Sequence, residues 1–456
     1  MLQKIYMLRR ICANVNSKRT CTGLVCIVVL SMMMVNLQGV CGQAPGWSED
    51  VQFTFSGDNG KPSIAVSGSN VHVAWVNYTS EYDIFYRKSE DFGFTWTEEK
   101  ILTNPERVYP TNPRLAVNGD IIHAVFEDIR ISSTFEIYYL RSIDNGETWT
   151  EEVRISEFTG DFSVNPDISV DGDNVYVVFA DERVGGFVGY REIYFKRSSD
   201  GGITWGDDMR LTYHQIGTSD VPSIIATPTK LHLVYSQSTG GDPSAMEVMY
   251  MNSSDQGDTW STPVMLSADD DRHSIFSGPN GFAVVDDTVH VVWQDQRHFN
   301  DGELYYRRSI DAGASWGPEI RLLERPDDGQ RGPRVTAEND IVHVFWADSR
   351  NNGMYYFDIY SMNSTDGGGT WNSDYRVTYE PWPVNTGPNT VKIHNGYTHL
   401  VFMDNRTGDD QRELYYKRSP DFGEPIPEFG NIVVPVVATM LMVTVATSVR
   451  RRKKNI

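Results

Sequence analysis

Cysteine is almost missing from this chain. The four present, Cys12, Cys21, Cys26 and Cys41, all lie within the first 41 of 456 residues. Everything downstream must therefore hold together without disulfides, and it has no thiol to offer as nucleophile or metal ligand. Cations are also in deficit, with 40 Lys and Arg against 61 Asp and Glu and a formal charge of −21 at pH 7. Ten of those cations fall in the first 19 and last seven residues, where no acid stands, so the chain between carries 30 against 61, or −31. Such a surface disfavours nucleic acid, and anionic polymers generally, as partners. It suits solubility in a salty medium; loose calcium binding is compatible with it, but no cofactor is called for. Long apolar runs are scarce too, the two of note being Leu24 to Val35 and Ile432 to Val449.

The first run follows a basic stretch (Lys4, Arg9, Arg10, Lys18, Arg19) and precedes Val40-Cys41-Gly42, the pattern of a secretory signal with cleavage expected near Gly42. A lipoprotein reading of Cys41 fits less well, because Val40 is bulkier than the small residue expected before a lipidated cysteine. The second run is just long enough to span a bilayer and is followed by Arg450-Arg451-Arg452-Lys453-Lys454. The positive-inside rule sets that cluster in the cytoplasm and the preceding domain outside. Just before it, Pro427-Glu428-Phe429 resembles the sorting signal of archaeal PEF-CTERM proteins. That resemblance implies a tail cut off and replaced by a lipid anchor, with a retained helix as the alternative. The expected division is a signal peptide over 1–42, a folded domain over 43–423, a linker over 424–431, a transmembrane or sorting helix over 432–449 and a basic tail over 450–456. The expected location is the cell surface, and sequons at Asn77, Asn252, Asn363 and Asn405 permit glycosylation.

What fills the domain is repetition. At intervals of 53 to 56 residues an octet of the form Ser-x-Asp-x-Gly-x-Thr-Trp recurs: Ser89 to Trp96, Ser142 to Trp149, Ser198 to Trp205, Ser253 to Trp260, Ser309 to Trp316 with Ser315 for Thr, Ser364 to Trp371, and a truncated Ser419 to Gly423. Its aspartates are Asp91, Asp144, Asp200, Asp255, Asp311, Asp366 and Asp421. The octet is a turn, in which the carboxylate accepts backbone N–H groups, Gly supplies a positive φ and Trp caps an apolar layer. It resembles the Asp-box, or BNR repeat, of the sialidase superfamily, where the box is architectural and lies away from the active site.

Around each box the same short, alternating β-branched and aromatic runs recur, three upstream and one downstream, reading as four antiparallel strands A to D. Radial repetition of such a sheet is a propeller blade. The seventh copy has strands A to C, but the chain then runs into Glu424-Pro425-Ile426-Pro427. Its missing strand D is supplied from the start of the domain, where Trp47 to Thr54 matches Trp149 to Ser156 in type at each position. The expectation is an all-β, seven-bladed propeller closed by its N-terminal strand, where sialidases have six blades. In a meander the B–C and D–A loops share one face and the box-bearing C–D loops the other. Because the chain leaves from the last C–D position, the box face should look at the membrane and the opposite face outward.

Strand B ends in Asp-x-Arg in five blades, at Asp128/Arg130, Asp181/Arg183, Asp295/Arg297, Asp348/Arg350 and Asp404/Arg406; blades one and four have Asn77/Thr79 and Gln237/Thr239 instead. A ring of guanidiniums on the outward face could fork to a carboxylate or a sugar hydroxyl pair. The structural alternative pairs each Arg with the acid that opens strand C (Asp83, Glu136, Glu192, Glu247, Glu303, Asp358, Glu413). Departures from the repeat are better site candidates. At the strand A position nearest the channel stand Ser63, Arg114, Asp167, Ser223, Asn280, Arg334 and Asn389, so that Arg114, Arg334 and Asp167 could form an anion or glycan pocket, with Glu127 beside them. The one-per-blade histidines His72, His123, His232, His290, His343 and His399, with Tyr176 in the seventh place, are spread too widely to share a metal and read as packing residues.

The sialidase resemblance implies an arginine triad, a tyrosine nucleophile paired with a glutamate, an acid/base aspartate and an Arg-Ile-Pro motif. The chain has no Arg-Ile-Pro; its nearest string is Asn112-Pro113-Arg114-Leu115, and no catalytic residue carries over. Two readings stay open. One is a non-catalytic surface module that binds glycans or cell-surface proteins, favoured by regular repeats and short loops. The other is an exo-acting, sialidase-like glycoside hydrolase, which needs two spaced carboxylates, or tyrosine with glutamate, at the channel mouth.

Overall fold

A computed structural model describes residues 46–419, apart from residue 56 and the loop segments 80–81, 104–108, 131–132, 185–188, 214–216, 239–244, 269–271, 298–301, 324–328, 352–356, 380–386 and 407–410. The expected signal peptide, linker, C-terminal helix and basic tail, with Asp421 of the last box, lie outside the described residues. No helix among the described residues is long and apolar enough to cross a membrane.

Seven antiparallel sheets follow one another in the chain, each ordered A-B-C-D. In blade one the strands are Asn59–Ser67, Asn70–Asn77, Asp83–Ser89 and Lys100–Ile101. Strand B is buried on both faces because neighbouring sheets cover it on either side; Val71, His72, Val73, Ala74, Trp75 and Val76 are all buried. Blade seven pairs Gly387–His394, Tyr397–Asp404 and Glu413–Ser419 with Val51–Gln52, in the register Val51↔Tyr416 and Gln52↔Tyr415. The N-terminal strand thus closes the last blade, as expected, and leaves no open edge there.

The boxes fold as local hydrogen-bond units. In the second copy Ser142 Oγ donates to Asp144 Oδ1 at 2.8 Å, Gly146 N donates to Ser142 Oγ at 2.8 Å, and Thr148 donates through both N and Oγ1 to the same carboxylate. The hydrogen bonds from Thr148 hold Asp144 down at about 2. Each box also locks onto the blade before it. Trp149 meets Tyr86 edge-on at 5.2 Å, and a Cβ on Gly146 would sit 2.1 Å from the Tyr86 hydroxyl, so only glycine fits. That hydroxyl lies 2.8 Å from Nδ1 of His72, and the pairs His123–Tyr139, His232–Tyr250, His290–Tyr306 and His399–Tyr416 repeat the contact. The repeated histidines are therefore packing residues. In blade three both partners change together, to Tyr176 and Phe195, which stack at 6.1 Å. At the seam Trp47 fills the place of the missing seventh tryptophan, packing edge-on against Phe345 of blade six at 5.7 Å.

Candidate functional site

Strand A lines the channel, and a β-bulge decides what it points there. In blades one to four and in blade six the register slips early in strand A, at Lys61-Pro62, Asn112-Pro113, Asn165-Pro166, Val221-Pro222 and Gly332-Pro333. The first residue of each pair has φ between +52° and +57°, apart from Lys61 at +49°. Proline fits the second place because an unpaired bulge residue needs no N–H. The next side chains, Ser63, Arg114, Asp167, Ser223 and Arg334, face the channel, as expected from their alignment. Blades five and seven differ. Blade five splits strand A into Ser274–Ile275 and Phe282–Val285, and Gly281, not Asn280, sits opposite Val292. In blade seven Thr390, not Asn389, pairs with Val401. The reason is a longer insertion in the one and a shorter bulge in the other.

Several channel residues serve the ring itself. Ser63 Oγ accepts the Leu115 N–H at 3.0 Å, and Asp167 Oδ2 accepts the Ser223 hydroxyl at 2.7 Å and the Ile224 N–H at 2.9 Å. Each latches a blade to its successor through an inner-edge N–H that no strand pairs. Asn280 reaches further, accepting Val335 N on its carbonyl and Val391 N on its side chain. Together with Ser63, Arg114 and Pro279 it divides the channel into a mouth cavity of about 270 Å³ on the B–C/D–A face and an inner cavity of about 290 Å³ toward the A–B hairpins.

Arg114, at that division, and Arg334 both line the mouth cavity. Their hydrogen bonds go to backbone carbonyls: Arg114 Nη1 to Pro113 O at 2.9 Å, Arg334 Nη1 to Pro333 O and Nε to Asn389 O, both at 3.1 Å. Nε of Arg114 is buried and has no partner among the described residues. Burial lowers the proton affinity of both, and the field of Arg114 helps bring Arg334 down to about 10. Burial pushes Asp167 and Glu127 up, although Arg114 opposes this. Glu127 is not free to act, since its Oε1 accepts Asn112 Nδ2 and Asn165 N, both at 2.7 Å. A third desolvated cation, Lys392, lines the inner cavity and is held below the usual lysine range by burial. Its signal was in the sequence: its register partner is His399, the position that His72 gives to Ala65 and Tyr176 gives to Ser169, and neither equivalent is charged.

The five Asp-x-Arg arginines are not brought to the channel. Arg297 bonds Asp295 at 2.5 Å and Glu319 at 2.8 Å and lies 4.2 Å from the Tyr305 ring centroid. Arg130 does the same with Asp128, Glu152 and Tyr138, Arg183 with Asp181, Asp208 and Tyr194, Arg350 with Asp348, Asp374 and Tyr360, and Arg406 with Asp404, Asp50 and Tyr415. The second acid comes from just before strand D, not from the start of strand C as the sequence pairing suggested. The strand C acids turn to the D side instead, as Glu136 does to Ser156 at 2.5 Å. Among the described residues no group of three or more His, Cys, Asp or Glu side chains gathers as metal ligands.

No family model matches this chain, and no curated protein matches it. Solved structures do. A polysaccharide lyase, an ulvan lyase bound to -[GlcA(1-4)Rha3S]-, superposes with TM-score 0.58 at 10% identity over 82% of this chain and 96% of its own. The polysaccharide lyase Uly1 gives 0.52 at 12% over 84% and 94%. A Trypanosoma rangeli sialidase in complex with the inhibitor DANA gives 0.46 at 14%, covering 88% of this chain and 62% of that one. At these identities the likeness is one of fold, and the fold is the β-propeller.

Proposed function

We propose that this chain is a cell-surface glycan-binding propeller whose site is the channel mouth, where Arg114 and Arg334 take up the carboxylate or sulfate of an acidic sugar. The supporting observation is two buried guanidiniums lining one mouth cavity, the field of one reaching the other, with only backbone carbonyls as hydrogen-bond partners. An anion between them restores the Coulomb energy that burial removes, and its oxygens suit the forked donors. Lys61, exposed at the rim, and Lys392, deeper in, extend the positive field inside an otherwise acidic protein, which steers an anionic ligand to the channel. The -[GlcA(1-4)Rha3S]- held by one structural neighbour carries both a carboxylate and a sulfate, so a ligand of that type is the first to try.

The lining favours binding over turnover. Among the described lining residues of both cavities Asp167 is the one carboxylate and none is a tyrosine. Glycoside hydrolysis needs a carboxylate pair, or tyrosine with glutamate. The rival hydrolase reading draws on Asp167, an acid of raised proton affinity near Arg114, and lacks a second carboxylate among the described lining residues. In the binding reading the apolar run over 432–449 anchors the chain and leaves the mouth open to glycans, or to surface proteins that carry them. The test is titration of the full-length chain with glucuronic acid, sialic acid and sulfated oligosaccharides beside a panel of fluorogenic glycosides. An acidic sugar should bind, at least about tenfold less tightly to Arg334→Met, with no sugar released. Release abolished by Arg114→Ala would establish the hydrolase instead.

A further inference from the structure

The rim of the mouth cavity is not furnished equally around the ring. Where five blades end strand B in Asp-x-Arg, blade one has Asn77-Tyr78-Thr79. Tyr78 is joined there by Tyr82, from the same B–C connection, and by Tyr109, from the D–A connection into blade two. The rings meet edge to face, with centroids 5.4 Å apart for Tyr78–Tyr82 and 4.7 Å for Tyr82–Tyr109. The rings come from two neighbouring connections and stay open to solvent: Tyr109 is 43% exposed and Tyr78 and Tyr82 are half-buried. Tyr82 is held with φ at +52°, a region bulky side chains rarely occupy and one that marks sites where the fold imposes a conformation.

This cluster adjoins the mouth. Tyr78 hydrogen-bonds Thr111, next to the mouth-lining Asn112, and its ring edge lies 3.1 Å from where a Cβ on Gly60 would stand, next to the mouth-lining Lys61. Arg412 lies 5.6 Å from the Tyr78 centroid, its guanidinium forked onto Asp58 by two 2.6 Å bonds. Aromatic faces bordered by fixed donors and acceptors fit a sugar ring, which offers C–H groups on its face and hydroxyls at its edge.

We propose that Tyr82 and Tyr109, backed by Tyr78, form a second sugar subsite, so that the ligand is an oligosaccharide with its acidic unit at Arg114 and Arg334 and a neighbouring unit stacked on the tyrosines. This rests on the channel-mouth reading above. The ligand then crosses the face of the propeller from the mouth over blade one, and length as well as charge sets affinity.

The experiment is calorimetric titration of the full-length chain, made without N-glycosylation so that Asn77 is bare, with glucuronic acid and with a hyaluronan tetrasaccharide. The wild-type chain should bind the tetrasaccharide about tenfold more tightly than the monosaccharide. Tyr82→Ala/Tyr109→Ala should remove that advantage and leave monosaccharide affinity unchanged, whereas Tyr82→Phe/Tyr109→Phe, which keeps the rings, should retain it. Arg334→Met should lose both sugars. Wild-type tetrasaccharide affinity in the double alanine variant overturns the subsite while the channel reading stands. Tetrasaccharide binding that needs the tyrosines but not Arg334 upholds the subsite and overturns the channel reading. Failure of the wild-type chain to bind either sugar overturns both.

Discussion

Five arginines at the ends of the B strands and Arg334 at the channel share one side chain and have opposite surroundings. Arg297 gains more from its hydrogen bonds to Asp295 and Glu319 than burial costs it, and is raised above the usual guanidinium range; Arg183, Arg350 and Arg406 go the same way. Arg334 is buried with carbonyls alone and another guanidinium nearby, and goes down. The difference follows the repeat. A feature copied from blade to blade comes with its partners copied too, whereas Arg334 breaks the repeat and no carboxylate hydrogen-bonds it.

The strongest way to separate repeated scaffold from singular site is pH. Burial holds His72, His123, His232, His290 and His343 at about 4 and His399 at about 3. Unfolded, they titrate near 6.5, so below that pH the unfolded chain takes up protons that the folded chain refuses. Stability is full above pH 6.5 and falls as pH drops toward 4. At about 1.4 kcal/mol per unit per group, six histidines withdraw on the order of 10 kcal/mol by pH 5, comparable to the whole stability of an ordinary domain. The channel acids act the other way: burial raises Asp167 and Glu127, so acid favours the folded state through them, as it does through Glu136, pushed up to about 7. Denaturant titrations at pH 7 and pH 5 should show a large fall in midpoint; equal midpoints would mean that the histidines accept protons in the fold.

Removing a repeated arginine comes next. Arg297→Met leaves the buried Asp295 carboxylate without its main partner and should cost about 3 kcal/mol, read as a lower denaturation midpoint at unchanged slope. Loss of less than about 1 kcal/mol would place this arginine with ordinary surface pairs and remove the contrast.

How much of this could be read from the chain alone divides along the same line. Six boxes in a fixed frame carried the architecture because each is a local unit whose bonds lie within a few residues, as in Ser142 to Thr148. Closure was legible because Trp47 to Thr54 repeats a known strand, down to the tryptophan that the seventh box lacks. The channel column was legible in five blades and slipped in two, since alignment cannot see a bulge that skips one residue at Asn389 or an insertion that lets Asn280 bond blades six and seven. The strand D acids were visible as a column, Asp50, Glu152, Asp208, Glu319 and Asp374, and blade four lacks both that acid and the arginine it would bind. That joint loss was the missed sign of partnership. The Tyr78, Tyr82 and Tyr109 cluster had no such sign, because its three rings meet only through the folding of two separate connections.

At the channel the expected signs reverse. Arg334→Met removes a buried charge that no carboxylate bonds and puts an apolar chain of similar length in its place. Stability should stay level or rise by about 1 kcal/mol, while affinity for an acidic sugar falls at least about tenfold. A loss of stability like that of Arg297→Met would show that Arg334 belongs to the scaffold.

The smallest effect is the most specific. Because the field of Arg114 contributes to the lowered proton affinity of Arg334, the two charges repel in the channel. Arg114→Met and Arg334→Met should therefore each relieve the same repulsion, and the double variant should gain less than the sum of the two, by about 0.5 kcal/mol in a thermodynamic cycle. Saturating acidic sugar bridges the pair in the parent chain, so there the coupling should change sign. Additive single effects without ligand would mean that the arginines do not share a field, and a site that depends on both of them holding one anion could not stand.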